Sequence, residues 1–112
     1  METKVWIVNS SKHDYSAASK YGIITPVFQG NVYIFDAHAV VEDAVRMLDE
    51  HAGPDDYLLL AGYTFLNLIV GHYFLQKFGK VKALIFSQRK EEYRPVTLYN
   101  FQPKALENST IA

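Results

Sequence analysis

Residues 57–76 read YLLLAGYTFLNLIVGHYFLQ and carry no formal charge. That is close to the ~20 apolar residues that cross a bilayer. The run therefore resolves either as a membrane helix or as a strand and helix buried in a core. Gly62, Thr64, Asn67, Gly71 and His72 interrupt it, which disfavours the membrane. Gly62 divides it into a short apolar strand over 57–61 and a helix over about 65–78, with Thr64 as N-cap and Gly79 as the stop. Both faces of the strand are apolar, as in a sheet covered on both sides.

Two more runs of the same kind fix the fold class. Val5, Trp6, Ile7 and Val8 form one, and residues 81–86, VKALIF, form the other. Between the first run and the central strand lies one amphipathic helix, over about 37–52. Asp36 is its N-cap and Gly53-Pro54 its end. Val40, Val41, Ala44, Val45 and Leu48 make its apolar stripe, and Glu42 is spaced to pair with Arg46. A short helix is expected before Lys20, capped by Asp14 or Ser16 and closed by Gly22 in a left-handed conformation. Pro26 and Pro95 each place their strand, 23–28 and 93–99, at a sheet edge. Residues 32–35 read equally as a hairpin partner or as the lead into the helix. Alternation of this kind predicts a single small α/β domain over 1–101. Its sheet is expected to be mainly parallel and Rossmann-like, flanked by helices, with a C-terminal antiparallel hairpin. Residues 102–112 read as a flexible tail.

Composition removes several functions. Eleven basic side chains against twelve acidic ones argue against nucleic acid or an anionic membrane as partner. Without cysteine there is no thiolate metal site and no thiol nucleophile. The start, METKVWIV, lacks the cationic and apolar regions of a secretory signal, so a cytoplasmic protein is expected. Neither GxGxxG nor GxxxxGK[ST] occurs, and His13, His38, His51 and His72 form no zinc-binding spacing. No cofactor and no metal are expected.

The candidate ligand site follows from topology. In open α/β sheets ligands sit beyond the carboxyl ends of the strands, where strand order reverses. Asn9, Ser10, Ser11, Lys12 and His13 follow the first strand, and Gly62, Tyr63 and Thr64 follow the central one. Gly62 admits close approach, and the helix start behind it offers free N–H groups to an anion. A small anionic ligand or a partner protein is expected there. His13 and Asp14, beside Ser10, Ser11 and Ser16, also carry the ingredients of a small hydrolase or nuclease. No nucleophile elbow accompanies them, and binding is preferred over catalysis.

The 65–78 helix is nearly without charge. Phe65, Ile69 and His72 share a side with Gln76, while Gly71 lies opposite and should face the sheet. A face too polar for a core and too apolar for water suggests an interface, so a homodimer is expected. Eight tyrosines and seven phenylalanines suit a surface that binds something. A protein–protein inhibitor without a small-molecule ligand is thus a further alternative.

NSSKHDYSAASKYG, DDYLLLAG and GKVKALIF together resemble small α/β proteins encoded by bacteriophages, over most of residues 4–98. The resemblance implies an accessory or host-interfering protein in the host cytoplasm, not a virion component, and for such a protein it implies a nucleotide-like ligand at the strand-end loops or a host protein as partner. It implies no activity and no functional residue.

Overall fold

The computed structural model describes residues 2–10 and 12–104. β1 (Lys4–Asn9) is followed by a 3-10 helix (Ser16–Tyr21) and β2 (Ile23–Phe28). Then come α1 (Ala37–His51), β3 (Tyr57–Leu59), α2 (Thr64–Phe78), β4 (Lys80–Ser87) and β5 (Glu92–Tyr99). One five-stranded sheet runs in the order β2-β1-β3-β4-β5. β1 pairs parallel with β2 and β3, β3 pairs parallel with β4, and β5 returns antiparallel on β4. The sheet is therefore mixed. Pro26 and Pro95 lie on its two edge strands, where a missing N–H costs no ladder bond.

Alternation along the strands builds a core on each face. Trp6, Val8, Leu58 and Val81 point toward α1 and α2, meeting Val40, Ala44, Leu48, Leu66, Val70 and Phe74. Val5, Ile7, Leu59 and Leu84 point the other way, against Ala18 of the 3-10 helix and Tyr93. The β1–β2 connection thus covers one face. The two helical connections, which travel the other way across the sheet, cover the opposite face. Crossovers of a single hand require that change of face when direction reverses.

Asp56 ties these layers together although it sits at 4% exposure. Its Oδ1 accepts the Lys4 N–H at 3.0 Å, and its Oδ2 accepts the Trp6 indole N–H and the Gly53 N–H, each at 2.9 Å. Gly71 faces the sheet as expected: a Cβ there would lie 3.9 Å from Leu58 Cδ2.

Several local expectations are corrected. Gly22 is not in the left-handed helical conformation; with φ 158° and ψ −175° it occupies a region essentially reserved for glycine, and a Cβ would fall 2.5 Å from the Thr3 carbonyl oxygen, so conformation and close approach both select glycine. Thr64 does not cap α2 but is its first residue, with Tyr63 at the cap position and no side-chain cap bond. Glu42 pairs with His38 and Arg46 with Asp43, both within α1, in place of a Glu42–Arg46 pair. Residues 32–35 form no strand and lead into α1, whose Asp36 cap accepts the Ala39 N–H. No helix among the described residues is long and apolar enough to cross a membrane. Of the expected tail, residues 102–104 have no regular structure and 105–112 lie outside the described residues.

Candidate functional site

The order of the sheet reverses between β1 and β3, since β1 leads outward to β2 while β3 and β4 continue on the other side. A cleft of about 690 Å³ opens at the carboxyl ends of these strands. β1 contributes Asn9, and the loop beyond it Ser10, His13, Asp14 and Tyr15. The turn after β2 gives Gly30 and Asn31, the turn after β3 gives Ala61, Gly62 and Tyr63, and the β4–β5 hairpin gives Phe86 and Tyr93.

Two asparagines shape the rim. Asn9 Nδ2 donates to the Gly30 carbonyl at 3.0 Å, drawing the turn after β2 onto the end of β1. Its Oδ1 is buried with no hydrogen-bond partner among the described residues. Asn67, one turn into α2, donates Nδ2 to the carbonyls of Ala61 and Tyr63, each at 3.0 Å, and so locks the turn that carries Gly62. Gly62 has φ 81°, a region that favours glycine. A Cβ there would meet only Val8 Cγ2, at an ordinary 3.5 Å, so conformation and not crowding selects glycine. The first helical bond is Asn67 N–H to Tyr63 O at 3.1 Å. With no side-chain cap, the N–H groups before it lack the usual intrahelical partner and point out of the helix start.

The walls are aromatic. Phe86 and Tyr93 pack edge to face at 5.2 Å between centroids, and the His13 and Tyr15 rings lie 6.0 Å apart. Burial pushes the Tyr93 phenol up from its ordinary pKa, helped by the neighbouring Tyr15 and Asp14. The Ser16 hydroxyl and then the Ser16 N–H, which donates to Asp14 Oδ1 at 2.9 Å, hold the Asp14 carboxyl below its usual range. Asp14 is therefore an ionised acceptor at neutral pH and not a proton donor. No lysine or arginine lines the cleft. Among the described residues no group of three His, Cys, Asp or Glu could hold a metal ion.

A model of the family described as phage Pam3 gp32-like protein matches residues 3–100, spanning every strand and both helices. The chain belongs to that family. No curated protein and no solved structure is similar enough to add a second relative. The resemblance to phage-encoded proteins is thus established, while the chemistry rests on the geometry of this family member alone.

Within this phage-protein fold, five of the expected ligand residues line the cleft together: Asn9, Ser10, His13, Gly62 and Tyr63. Lys12 is exposed and does not line it, nor does Thr64. Ser11 lies outside the described residues. Gly30, Asn31, Phe86 and Tyr93 were not anticipated, because their turns come from the far side of the sheet order. The available signal was Pro95: an edge strand folded back on 81–86 places Tyr93 opposite Phe86 at the strand ends.

On the outer side of α2, Ile69 and His72 join Val41, Val45, Leu68 and Gln76 along a shallow groove between the two helices. Phe65, expected on the same face, is exposed and does not line it. Tyr73 closes one wall and donates its hydroxyl to Asp49 at 2.6 Å.

Proposed function

We propose that this phage protein is a small binding module whose strand-end cleft takes a nucleotide-like ligand. The reading rests on one observation: the cleft joins aromatic walls to an uncapped helix start at the point where strand order reverses. Tyr15, Tyr63, Phe86 and Tyr93 offer ring surfaces to a planar group. The N–H groups at the start of α2, behind Gly62, suit one phosphate. With neither lysine nor arginine in the lining among the described residues, the ligand carries a single phosphate and not a polyphosphate chain. The order β2-β1-β3-β4 supports a doubly wound, Rossmann-like reading of the parallel part of the sheet, in which this location is the usual one for a ligand.

Calorimetric titration with nucleoside monophosphates, the matching nucleosides and inorganic phosphate tests the proposal. A monophosphate should bind more tightly than its nucleoside, and phosphate alone should bind far more weakly than either. Phe86→Ala should weaken nucleoside and nucleotide binding together. Absence of binding by every nucleoside and nucleotide would refute it.

A further inference from the structure

Resting on that nucleotide reading, we propose that Asp14 makes the cleft selective for guanine. Among the described residues Asp14 is the only carboxylate in the lining, and neither lysine nor arginine lies there to neutralise it. The loop holds it in place through the Ser16 N–H on Oδ1, at 2.9 Å. Each carboxylate oxygen has two acceptor positions, so both oxygens still have capacity for a ligand. Tyr15 and Tyr93 line the same cleft as Asp14, and the Asp14 charge acts on the Tyr93 phenol; a base seated against these walls would bring its edge to the carboxylate.

Hydrogen-bonding chemistry then decides among the bases. An ionised carboxylate only accepts. Guanine presents two adjacent donors, the ring N1–H and the exocyclic 2-amino group. Adenine and cytosine each set a ring-nitrogen lone pair beside their amino group, and that lone pair would face a carboxylate oxygen. Uracil sets carbonyl oxygens on both sides of its single N–H. Guanine alone meets the carboxylate with donors at both positions. Hypoxanthine keeps the ring N–H and loses the second donor.

The test compares GMP, IMP and AMP on the full chain and on Asp14→Asn. That variant keeps an oxygen for the Ser16 N–H, and its thermal unfolding checks that the fold persists. The parent should bind GMP about 10-fold or more tighter than IMP, as expected when one of two base-edge donors to the carboxylate is lost, and AMP more weakly still. Asp14→Asn offers an acceptor beside a donor, the complement of adenine. It should bring AMP level with or above GMP. Equal binding of GMP and AMP by the parent overturns the guanine assignment while leaving the nucleotide reading intact. So does a GMP-to-AMP ratio that is unchanged in Asp14→Asn. Binding of none of the three overturns the guanine assignment, and the nucleotide reading falls with it when the pyrimidine nucleotides also fail to bind.

Discussion

Truncation of Asp56 to alanine is the perturbation whose cost follows most directly from the structure. The carboxylate accepts three N–H donors: Lys4 at the start of β1, Gly53 after α1, and the indole of Trp6. A hydrogen bond to a charged group is worth ~1.5–3 kcal/mol, and a buried donor left unsatisfied costs ~1–3 kcal/mol. The Lys4 and Gly53 bonds are only part-buried, so water replaces much of what those groups lose. The Trp6 indole is fully buried and has no such recourse. Release of the carboxylate's own desolvation offsets part of the loss. The net expectation for Asp56→Ala is ~3–5 kcal/mol, or a melting temperature lowered by roughly 12–20 °C at about 4 °C per kcal/mol. Asp56→Asn keeps one acceptor oxygen but turns an amide N–H₂ toward a donor, and should cost ~1–3 kcal/mol. Trp6 is the single tryptophan, so urea unfolding followed by its fluorescence reports on this bond. In a Trp6→Phe background, followed by circular dichroism, Asp56→Ala should cost ~1–3 kcal/mol less than in the parent, since no indole donor remains. A parent-like melting temperature for Asp56→Ala, or additive costs in the double variant, would refute the reasoning.

Gly71→Ala should fit, because its Cβ meets Leu58 at contact distance, and should raise stability by up to ~1 kcal/mol. Gly71→Leu should overpack the same contact and cost ~1–3 kcal/mol; equal melting temperatures for the two variants would show that position 71 does not face the sheet. Glu91 has φ 52° in the β4–β5 turn, so Glu91→Gly should relieve left-handed strain and gain ~0.5–1 kcal/mol in denaturant unfolding. The Tyr73 and Tyr93 phenols are both raised above 10.0, by burial in each case, with Asp49 adding at Tyr73 and Tyr15 and Asp14 adding at Tyr93. The stability they contribute is thus complete below pH 10.0 and declines as pH climbs through their folded values. Ultraviolet titration should show two late phenolates, and Tyr73→Phe and Tyr93→Phe should each remove one. For the groove between α1 and α2 we propose self-association: sedimentation should give a dimer, and Leu68→Lys, at an exposed groove position, should shift it to monomer without lowering the melting temperature. A monomeric parent at micromolar concentration would remove that proposal.

Local chemistry was enough to place most elements. Three runs apolar on both faces could only be buried strands, and Asp36, Gly53 and Gly79 bound their helices because caps and stops act within one turn of the backbone. Pro26 and Pro95 announced the edges, since a strand with a missing donor is tolerated only there. The loop residues Asn9, Ser10, His13, Gly62 and Tyr63 were legible as strand-end positions for the same reason: topology sends every parallel strand's carboxyl end to one side of the sheet. The hydrogen bonds that pin those loops were not legible. Asn9 reaches Gly30 and Asn67 reaches back to Ala61, and neither distance carries a periodic signature. Nothing in the residues around Asp56 points to its partner Trp6, fifty residues away. Phe86 and Tyr93 became cleft walls only when β5 folded back on β4. Periodicity and capping are written within a few residues. A buried acceptor's donors and a cleft's far wall are set by which strands become neighbours, and only the folded chain makes them so.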